Sequence, residues 1–141
     1  MHWQVVPNSV LIVVHPADIV PSDEDWDEYL EDVTPKLGSV KGILVYSTKV
    51  GPSVSQRAKS NEAFEPYELR ISIMTGSRMT RGIVTAMTWA LGDKVRAFTP
   101  SNFEQAADNI GLTHDEKLKA RVVLKNLGLE ANIDIEAFKG D

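Results

Sequence analysis

A continuous apolar run, Gly42-Ile43-Leu44-Val45-Tyr46, is the feature that most constrains the fold of this chain. Because no residue in the run is charged, neither face of the strand it forms is suited to water. Such runs are typical of parallel strands that are buried on both faces of a sheet. Parallel neighbours in turn require long crossover connections, which are usually helical. The run therefore predicts an α/β domain.

The segments around this run alternate between strand and helix patterns. Two apolar runs at residues 3–6 and 10–14 flank the turn-forming residues Pro7-Asn8-Ser9, which predicts an N-terminal hairpin. Further strands are predicted at residues 69–74 and 95–98, with helices between successive strands and two more helices at the end. This order predicts a mixed, mostly parallel sheet of about five strands with covering helices.

Capping residues mark where the helices begin. Ser22 is a predicted N-cap for an acidic amphipathic helix. The string Ser53-Val54-Ser55-Gln56 has the form of a capping box, and it predicts a helix that runs to about residue 64, since Pro66 stops it. Another helix is predicted at residues 78–91, where the following glycine ends it.

Two helices are predicted to close the domain. Ser101-Asn102-Phe103-Glu104 and Thr113-His114-Asp115-Glu116 have the form of capping boxes, and the helices they begin are predicted to end at Gly111 and Gly128. In the second helix the residues expected to face a core are Leu118, Val122 and residues 124–127.

The chain length of 141 residues fits a single domain of ordinary size. We expect residues 1–112 to form the α/β core and residues 113–141 to form a closing helix and tail that pack on it. No pattern assigns a structure or a role to the last residues, from about residue 129 to residue 141.

Composition excludes several classes of function. The net charge of −5 argues against binding to nucleic acid or to an anionic membrane. Without cysteine there is no disulfide framework or thiol nucleophile, and three scattered histidines do not indicate a zinc site. No apolar run approaches the roughly 18 residues of a membrane span. We therefore expect a cytoplasmic protein with no metal or cofactor and with a protein or small-molecule partner.

The motifs of nucleotide-binding and phosphoacceptor domains are missing from the sequence. Neither G-x-G-x-x-G nor G-x-x-x-x-G-K-[ST] occurs. The third strand ends at Val45-Tyr46-Ser47 without the aspartate that a receiver domain needs there. The G-x-S-x-G string of a nucleophile elbow does not occur either. These observations argue against dinucleotide binding, P-loop chemistry and receiver phosphorylation.

Two groups of residues leave a small enzyme or a ligand-binding domain as an alternative. Strand ends are where α/β folds place functional side chains, and His15, Asp18 and Ser47 are predicted there. A histidine before proline is, however, more often structural than catalytic. The start of the 78–91 helix offers an anion site formed by Ser77, Arg78 and Arg81, although these residues equally describe a capped helix with solvated arginines. A third alternative is a structural subunit that oligomerises through exposed apolar helix faces.

Ser53 permits two interpretations. As an N-cap it accepts a bond from a backbone N–H and stabilises the helix by about 1 kcal/mol. As a phosphorylation site it would place negative charge where the helix dipole tolerates it, and this charge would change the surface that a partner contacts. The residues alone favour a simple cap.

The order of elements and several local strings resemble the STAS domain, the family of sulphate transporter and anti-sigma-factor antagonist domains. The resemblance covers roughly residues 3–112 and implies a single-domain STAS-like fold. The segments that carry it are the opening hairpin, the strand at residues 42–47, Gly51-Pro52-Ser53-Val54-Ser55-Gln56-Arg57-Ala58, Arg81-Gly82-Ile83-Val84-Thr85-Ala86 and Val95-Arg96-Ala97-Phe98.

Members of this family typically act as non-enzymatic interaction modules, and the bacterial regulators among them bind an anti-sigma factor that is also a serine kinase. The resemblance therefore implies a protein partner of this kind, bound through the surface around residues 48–59, and no catalytic residue. The residues expected on that surface are Thr48, Gln56, Arg57 and Lys59. Some members instead bind lipids or nucleotides in related positions.

Phosphorylation of a serine or threonine switches partner binding off in those regulators. The phosphoacceptor sits at the start of the helix after the third strand, commonly within an Asp-Ser-[Ser/Thr]-Gly string. The matching position here is Ser53, with Ser55 as the second choice. The sequence departs from the family string at Gly51-Pro52, where aspartate is frequent, and at Val54, where glycine or a second hydroxyl is expected.

Overall fold

The computed structural model describes residues 1–16, 19–48, 51–82, 84 and 94–138, and the account below concerns these residues. The strands are β1 (His2–Val6), β2 (Val10–His15), β3 (Gly42–Ser47), β4 (Arg70–Thr75) and β5 (Val95–Phe98). The helices are α1 (Asp23–Val33), α2 (Val54–Phe64), α3 (described at residues 78–82 and 84), α4 (Phe103–Ile110) and α5 (His114–Glu130). Short 3-10 turns lie at Thr34–Ser39, Glu65–Tyr67 and Glu136–Phe138.

The five strands form one sheet in the order β1-β2-β3-β4-β5. β1 is antiparallel to β2, and β2, β3, β4 and β5 are parallel to one another. The hairpin between β1 and β2 is closed by the Ser9 N–H, which donates to the Val6 carbonyl at 3.1 Å, while Asn8 has a φ of 63°. Asparagine tolerates this left-handed conformation better than most residues. The predicted α/β class, the mixed sheet and the N-terminal hairpin are confirmed.

The sheet is covered on both faces. Leu11 and Val13 of β2 pack in one cluster with α1, which contributes Trp26 and Val33. Strands in sequential order joined by right-handed crossovers place their connecting helices on one face, and α2 accordingly lies beside α1. The opposite face, which carries Ile12, is covered by α4 and α5. The apolar run that begins at Gly42 is therefore buried from both sides, as predicted.

Three of the predicted helix caps are confirmed. The Ser22 side chain accepts a bond from the Asp25 N–H at the start of α1. Ser53 and Thr113 both form complete capping boxes, in which the glutamine or glutamate at the third helical position bonds back to the N-cap N–H. α2 also ends at Phe64, as predicted from the proline that follows.

The capping box predicted at residues 101–104 is wrong. α4 begins at Phe103, and its N-cap is Asn102, which makes no capping bond through its side chain. The Asn102 N–H donates to the Thr99 carbonyl at 3.0 Å, and the Ser101 and Thr99 hydroxyls lie 3.4 Å apart. Ser101 is thus used in a turn that precedes the helix.

The predicted end of the last helix at Gly128 is also wrong, because α5 continues to Glu130. Gly128 allows α5 to pack closely against Ile135, because a Cβ atom on it would lie 2.7 Å from Cγ1 of that residue. The chain turns back after the helix, with Asn132 at a φ of 58°. Ile135 and Phe138 then join the buried cluster beneath the sheet, so the tail that the sequence left unassigned covers the core.

The outward face of α5 differs from the prediction as well. Leu124 and Leu127 are buried, but Leu118 and Val122 are 51% and 59% exposed. The two residues are four positions apart, so they lie on the same side of the helix, and this side is exposed. In the helix predicted at residues 78–91, Val84 is buried, and the predicted end at residues 91–92 lies outside the described residues.

Gly42 provides a test of the close packing at the start of β3. A Cβ atom there would lie 2.3 Å from the Arg70 carbonyl oxygen and 2.8 Å from Cγ2 of Ile110. Because the first neighbour is backbone, relief requires that strands separate. We expect Gly42→Ala to lower the free energy of unfolding by about 3 kcal/mol, measured by urea denaturation.

Gly82→Ala is the matched control, since nothing lies within 4 Å of its added Cβ atom. Alanine is the better helix former, so the control should match or exceed the wild-type stability by up to about 1 kcal/mol. Equal stabilities for the two variants would contradict the close approach at Gly42.

Candidate functional site

Three polar side chains end three adjacent parallel strands. The register places His15 of β2 beside Ser47 of β3, and Ser47 beside Thr75 of β4. All three are buried, and they lie on the face of the sheet that α1 and α2 cover. We refer to this end of the sheet as the carboxyl edge, and α1, α2 and α3 begin just beyond it.

His15 is packed as a structural residue. Its ring stacks on Trp26, with ring centroids 5.9 Å apart and planes inclined by 15°. The Trp26 indole N–H is held in turn by the hydroxyl of Ser60 on α2, at 3.1 Å. Burial, with a smaller contribution from the positive chain terminus, lowers the pKa of His15 to about 4. The imidazole is therefore neutral at pH 7, and its buried Nδ1 has no hydrogen-bond partner among the residues that the structure describes.

Gln56 was expected on the partner surface, and this expectation is wrong, because its side chain is only 2% exposed. Its Nε2 donates to the Pro21 carbonyl at 2.7 Å and to the Asp23 carboxylate at 3.0 Å. Its Oε1 accepts from the Ser53 N–H at 3.0 Å. The amide thus uses both donors and its acceptor to join the start of α2 to the start of α1.

The two candidate phosphoacceptors lie together at the start of α2. The Ser53 hydroxyl accepts from the Gln56 N–H at 3.2 Å and lies 3.2 Å from the Ser55 hydroxyl. Ser53 is half-buried and Ser55 is exposed. Both hydroxyls are thus held near the surface by the first turn of the helix.

The other residues expected on the partner surface are arranged around this turn. Thr48 and Arg57 are half-buried, and within the described ranges no group bonds to the Thr48 hydroxyl. Lys59 is exposed and forms an ion pair with Asp27 of α1 at 2.9 Å, a contact that raises the lysine pKa. Lys59 therefore also ties α2 to α1.

The residues of the predicted anion site have separate roles in the structure. The Ser77 hydroxyl caps α3 by accepting from the Thr80 N–H at 3.2 Å. The Ser77 N–H donates to the Thr75 hydroxyl at 3.1 Å. Arg78 is exposed and Arg81 is half-buried. Asp18, which was grouped with His15 and Ser47 as an alternative site, lies outside the described residues.

Four exposed apolar side chains lie in the segments that follow the carboxyl ends of β2, β3 and β4, and we call this set the apolar rim. Its members are Ile19, Val20, Val54 and Met79. Val54 is 74% exposed and directly follows Ser53, while Met79 is 78% exposed in the first turn of α3. The bond from Gln56 to the Pro21 carbonyl brings the segment that ends in Val20 to the same place.

Sequence reasoning did not identify this rim. At Val54, however, the sequence did contain a signal. Val54 begins a helix, and the residues three and four positions later are Arg57 and Ala58, so Val54 belongs to no apolar stripe. An apolar residue outside any stripe is expected to be exposed. Whether several such residues come together depends on the tertiary structure.

Two further classes of site were searched for in the part of the chain that the structure describes. It contains no group of three or more histidine, aspartate or glutamate side chains arranged to hold a metal ion. Nor does it contain a helix with the length and apolar character needed to cross a membrane.

Comparison with known proteins adds no relative. No protein-family model matches the chain, and no significant match is found among curated proteins or solved structures.

The burial of His15 predicts a specific pH dependence of stability. In the unfolded chain the imidazole takes up a proton below its ordinary pKa of about 6.5, whereas the folded chain does so only near pH 4. Stability should therefore fall as the pH is lowered from 6.5 to 4, with a slope of up to about 1.4 kcal/mol per pH unit from this group.

His15→Phe keeps a ring against Trp26 and removes the titration. Urea unfolding of both proteins between pH 7 and pH 4 should show the variant losing less stability than the wild type as the pH falls. Parallel stability curves would show that His15 is not held neutral in the folded protein.

Proposed function

We propose that this chain is a non-enzymatic regulatory module of the STAS type, and that it binds a protein partner through the surface around Ser53. The observation that carries the proposal is the apolar rim. Large apolar side chains that are exposed together mark protein-binding surfaces more often than chance exposure does. The four members of the rim follow the ends of β2, β3 and β4, and Val54 directly follows Ser53 at the helix start that the family resemblance assigns to partner binding.

The surface around Ser53 has the composition of an interface. Val54 and Met79 supply apolar area that a partner can bury, while Ser55 and Arg57 supply hydrogen-bonding groups beside it. The first turns of α1 and α2 are joined through Gln56, so the surface is rigid before a partner binds. A preformed surface loses less conformational entropy on association, which favours affinity.

We further propose that phosphorylation of Ser53 switches this binding. A kinase would transfer the γ-phosphoryl group of ATP to the Ser53 hydroxyl, with the hydroxyl proton lost and ADP released. The phosphate would be tolerated at the start of α2, because the helix dipole and free N–H groups favour an anion there. The same charge would lie next to Val54, where an apolar partner surface could not desolvate it.

The partner proposed on these grounds is an anti-sigma-factor serine kinase in a bacterial cytoplasm. Such a partner would both contact the rim and reach the Ser53 hydroxyl, which is half-buried but held at the surface. The family resemblance supplies the class of partner, and the apolar rim supports the place of contact.

Substitution of Ser53 by aspartate tests the switch. Aspartate caps helices about as well as serine, so Ser53→Asp should fold normally while adding charge. With the purified protein as bait in a bacterial lysate, we expect the wild type to recover an ATP-binding serine kinase or anti-sigma factor. Recovery by Ser53→Asp should fall by about tenfold or more, as read by quantitative mass spectrometry.

Thr113→Asp is the matched control, because Thr113 forms the same capping box at the start of α5, away from the rim. It should recover the partner as well as the wild type does. Equal recovery by Ser53→Asp and the wild type would refute the switch and keep the interaction module. If the wild type recovers no kinase or anti-sigma factor, the module itself is refuted.

The contribution of the apolar rim can be measured separately with the recovered partner. Val54→Gln removes exposed apolar area without adding charge, and we expect it to raise the dissociation constant by about tenfold. Leu129→Gln is the control, since Leu129 is equally exposed but lies near the end of α5. Isothermal titration calorimetry should show a change for the first variant alone, and equal affinities would exclude the rim from the interface.

A further inference from the structure

β1 is the outermost strand of the sheet on the hairpin side. Its inner edge pairs with β2 along all five residues, from His2 to Val6. Among the described residues, no strand or side chain bonds to the backbone of its outer edge. An edge strand of this kind offers a row of N–H and C=O groups to any extended chain of suitable chemistry.

Two open grooves run along this strand, one on each side of it. The groove beside α1 has a volume of about 470 Å³, and its lining residues are Trp3, Gln4, Val5, Pro7, Asp32, Lys36 and Ser39. The groove beside α5 has a volume of about 440 Å³, and its lining residues are Gln4, Val5, Val6, Pro7, Leu118, Lys119, Val122 and Val123. Because side chains alternate along a strand, a chain added to β1 would place successive residues in the two grooves in turn.

The groove beside α5 is apolar. Leu118 and Val122 contribute the exposed side chains that the sequence had assigned to the core. They lie on the side of α5 that faces this groove and not on the side that faces the core. An added strand would bury them if every second residue were apolar.

The groove beside α1 combines apolar area with the Asp32–Lys36 ion pair, and further acidic residues lie on the same helix. Trp3 lines its floor and donates from its indole N–H to the Asp32 carboxylate at 2.8 Å. Glu28 and Asp25 lie on the same side of α1 as Asp32, one turn and two turns earlier respectively. Both are exposed, and neither forms an ion pair with another described residue. In the described part of the chain Lys36 pairs with Asp32 alone, so this side of α1 carries excess negative charge.

From this arrangement we propose that β1 binds an extended segment of a protein partner as a sixth strand, with basic side chains over α1 and apolar side chains against α5. The main-chain bonds of strand addition supply affinity, and the two grooves supply specificity. The surface is separate from the one around Ser53, and the inference does not depend on that proposal.

Charge argues against a second copy of this chain as the occupant. Two copies that paired antiparallel through β1 would be related by a twofold axis perpendicular to the sheet. Their α1 helices would then lie antiparallel on the same face, and the side of one helix that carries Asp25, Glu28 and Asp32 would face the same side of the other. Like charges brought together in this way disfavour association, whereas a basic strand complements them.

Peptides of defined pattern test the proposal. The probe is an acetylated and amidated octapeptide of alternating lysine and valine, and the control peptide replaces each lysine by glutamate. Titration of ¹⁵N-labelled protein should move the amide resonances of β1. We expect the lysine peptide to bind at least about tenfold more tightly than the glutamate peptide, and to weaken as salt is raised.

Two substitutions on α5 test the apolar side of the surface. Val122→Gln should weaken binding of the lysine peptide by about fivefold or more, while Leu129→Gln, which changes an equally exposed residue outside the groove, should leave it within about twofold. Circular dichroism should show both variants folded, since both positions are exposed.

Three results would overturn the inference. They are equal binding of the two peptides, resonance changes that spare β1, and no binding at millimolar peptide. Light scattering at the protein concentration used for the titration should give the mass of one chain. Twice that mass, lost on substitution of Val122, would assign the β1 edge to a second copy instead.

Discussion

Burial of β3 on both faces is the constraint on which the rest of the structure depends. Ile43 belongs to the cluster beneath α1, and Leu44 belongs to the cluster covered by α4 and α5. The helices that connect the parallel strands cover the first of these faces. The opposite face must be covered by the part of the chain that follows β5, and α5 and the tail accordingly pack across β1 and β2. A strand that is buried on both faces thus requires three layers, with the sheet between two layers of helices.

The same architecture decides which side chains are buried and which are exposed at the carboxyl edge. The crossovers bring the starts of α1 and α2 to this edge, and the Gln56 side chain joins them with two hydrogen bonds. The polar side chains that end the strands, such as His15, are turned inward beneath the helices. Apolar side chains, such as Val54, are turned outward. An edge with polar groups inside and apolar groups outside is better suited to contact with a protein than to chemistry on a dissolved substrate.

Capping strings illustrate how far local sequence predicts structure. Ser53 and Thr113 cap their helices as predicted, because a serine or threonine followed three residues later by glutamine or glutamate satisfies two free N–H groups at once. The same pattern failed at Ser101, whose hydroxyl lies beside Thr99 in a preceding turn. Gly128 likewise has the composition of a helix end, but it lies inside α5 because Ile135 packs against it. A local pattern offers several structures, and long-range packing selects one.

Periodicity and capping act within a few residues, so the strands, most helix starts, the α/β class and the position of Ser53 at the start of α2 could be predicted from the sequence. The burial of Gln56, the exposure of Leu118 and Val122, and the position of the apolar rim at the carboxyl edge follow from the tertiary structure. These outcomes depend on which segments lie beside one another across the sheet. Burial is a property of such neighbours, and residues far apart in the chain supply them.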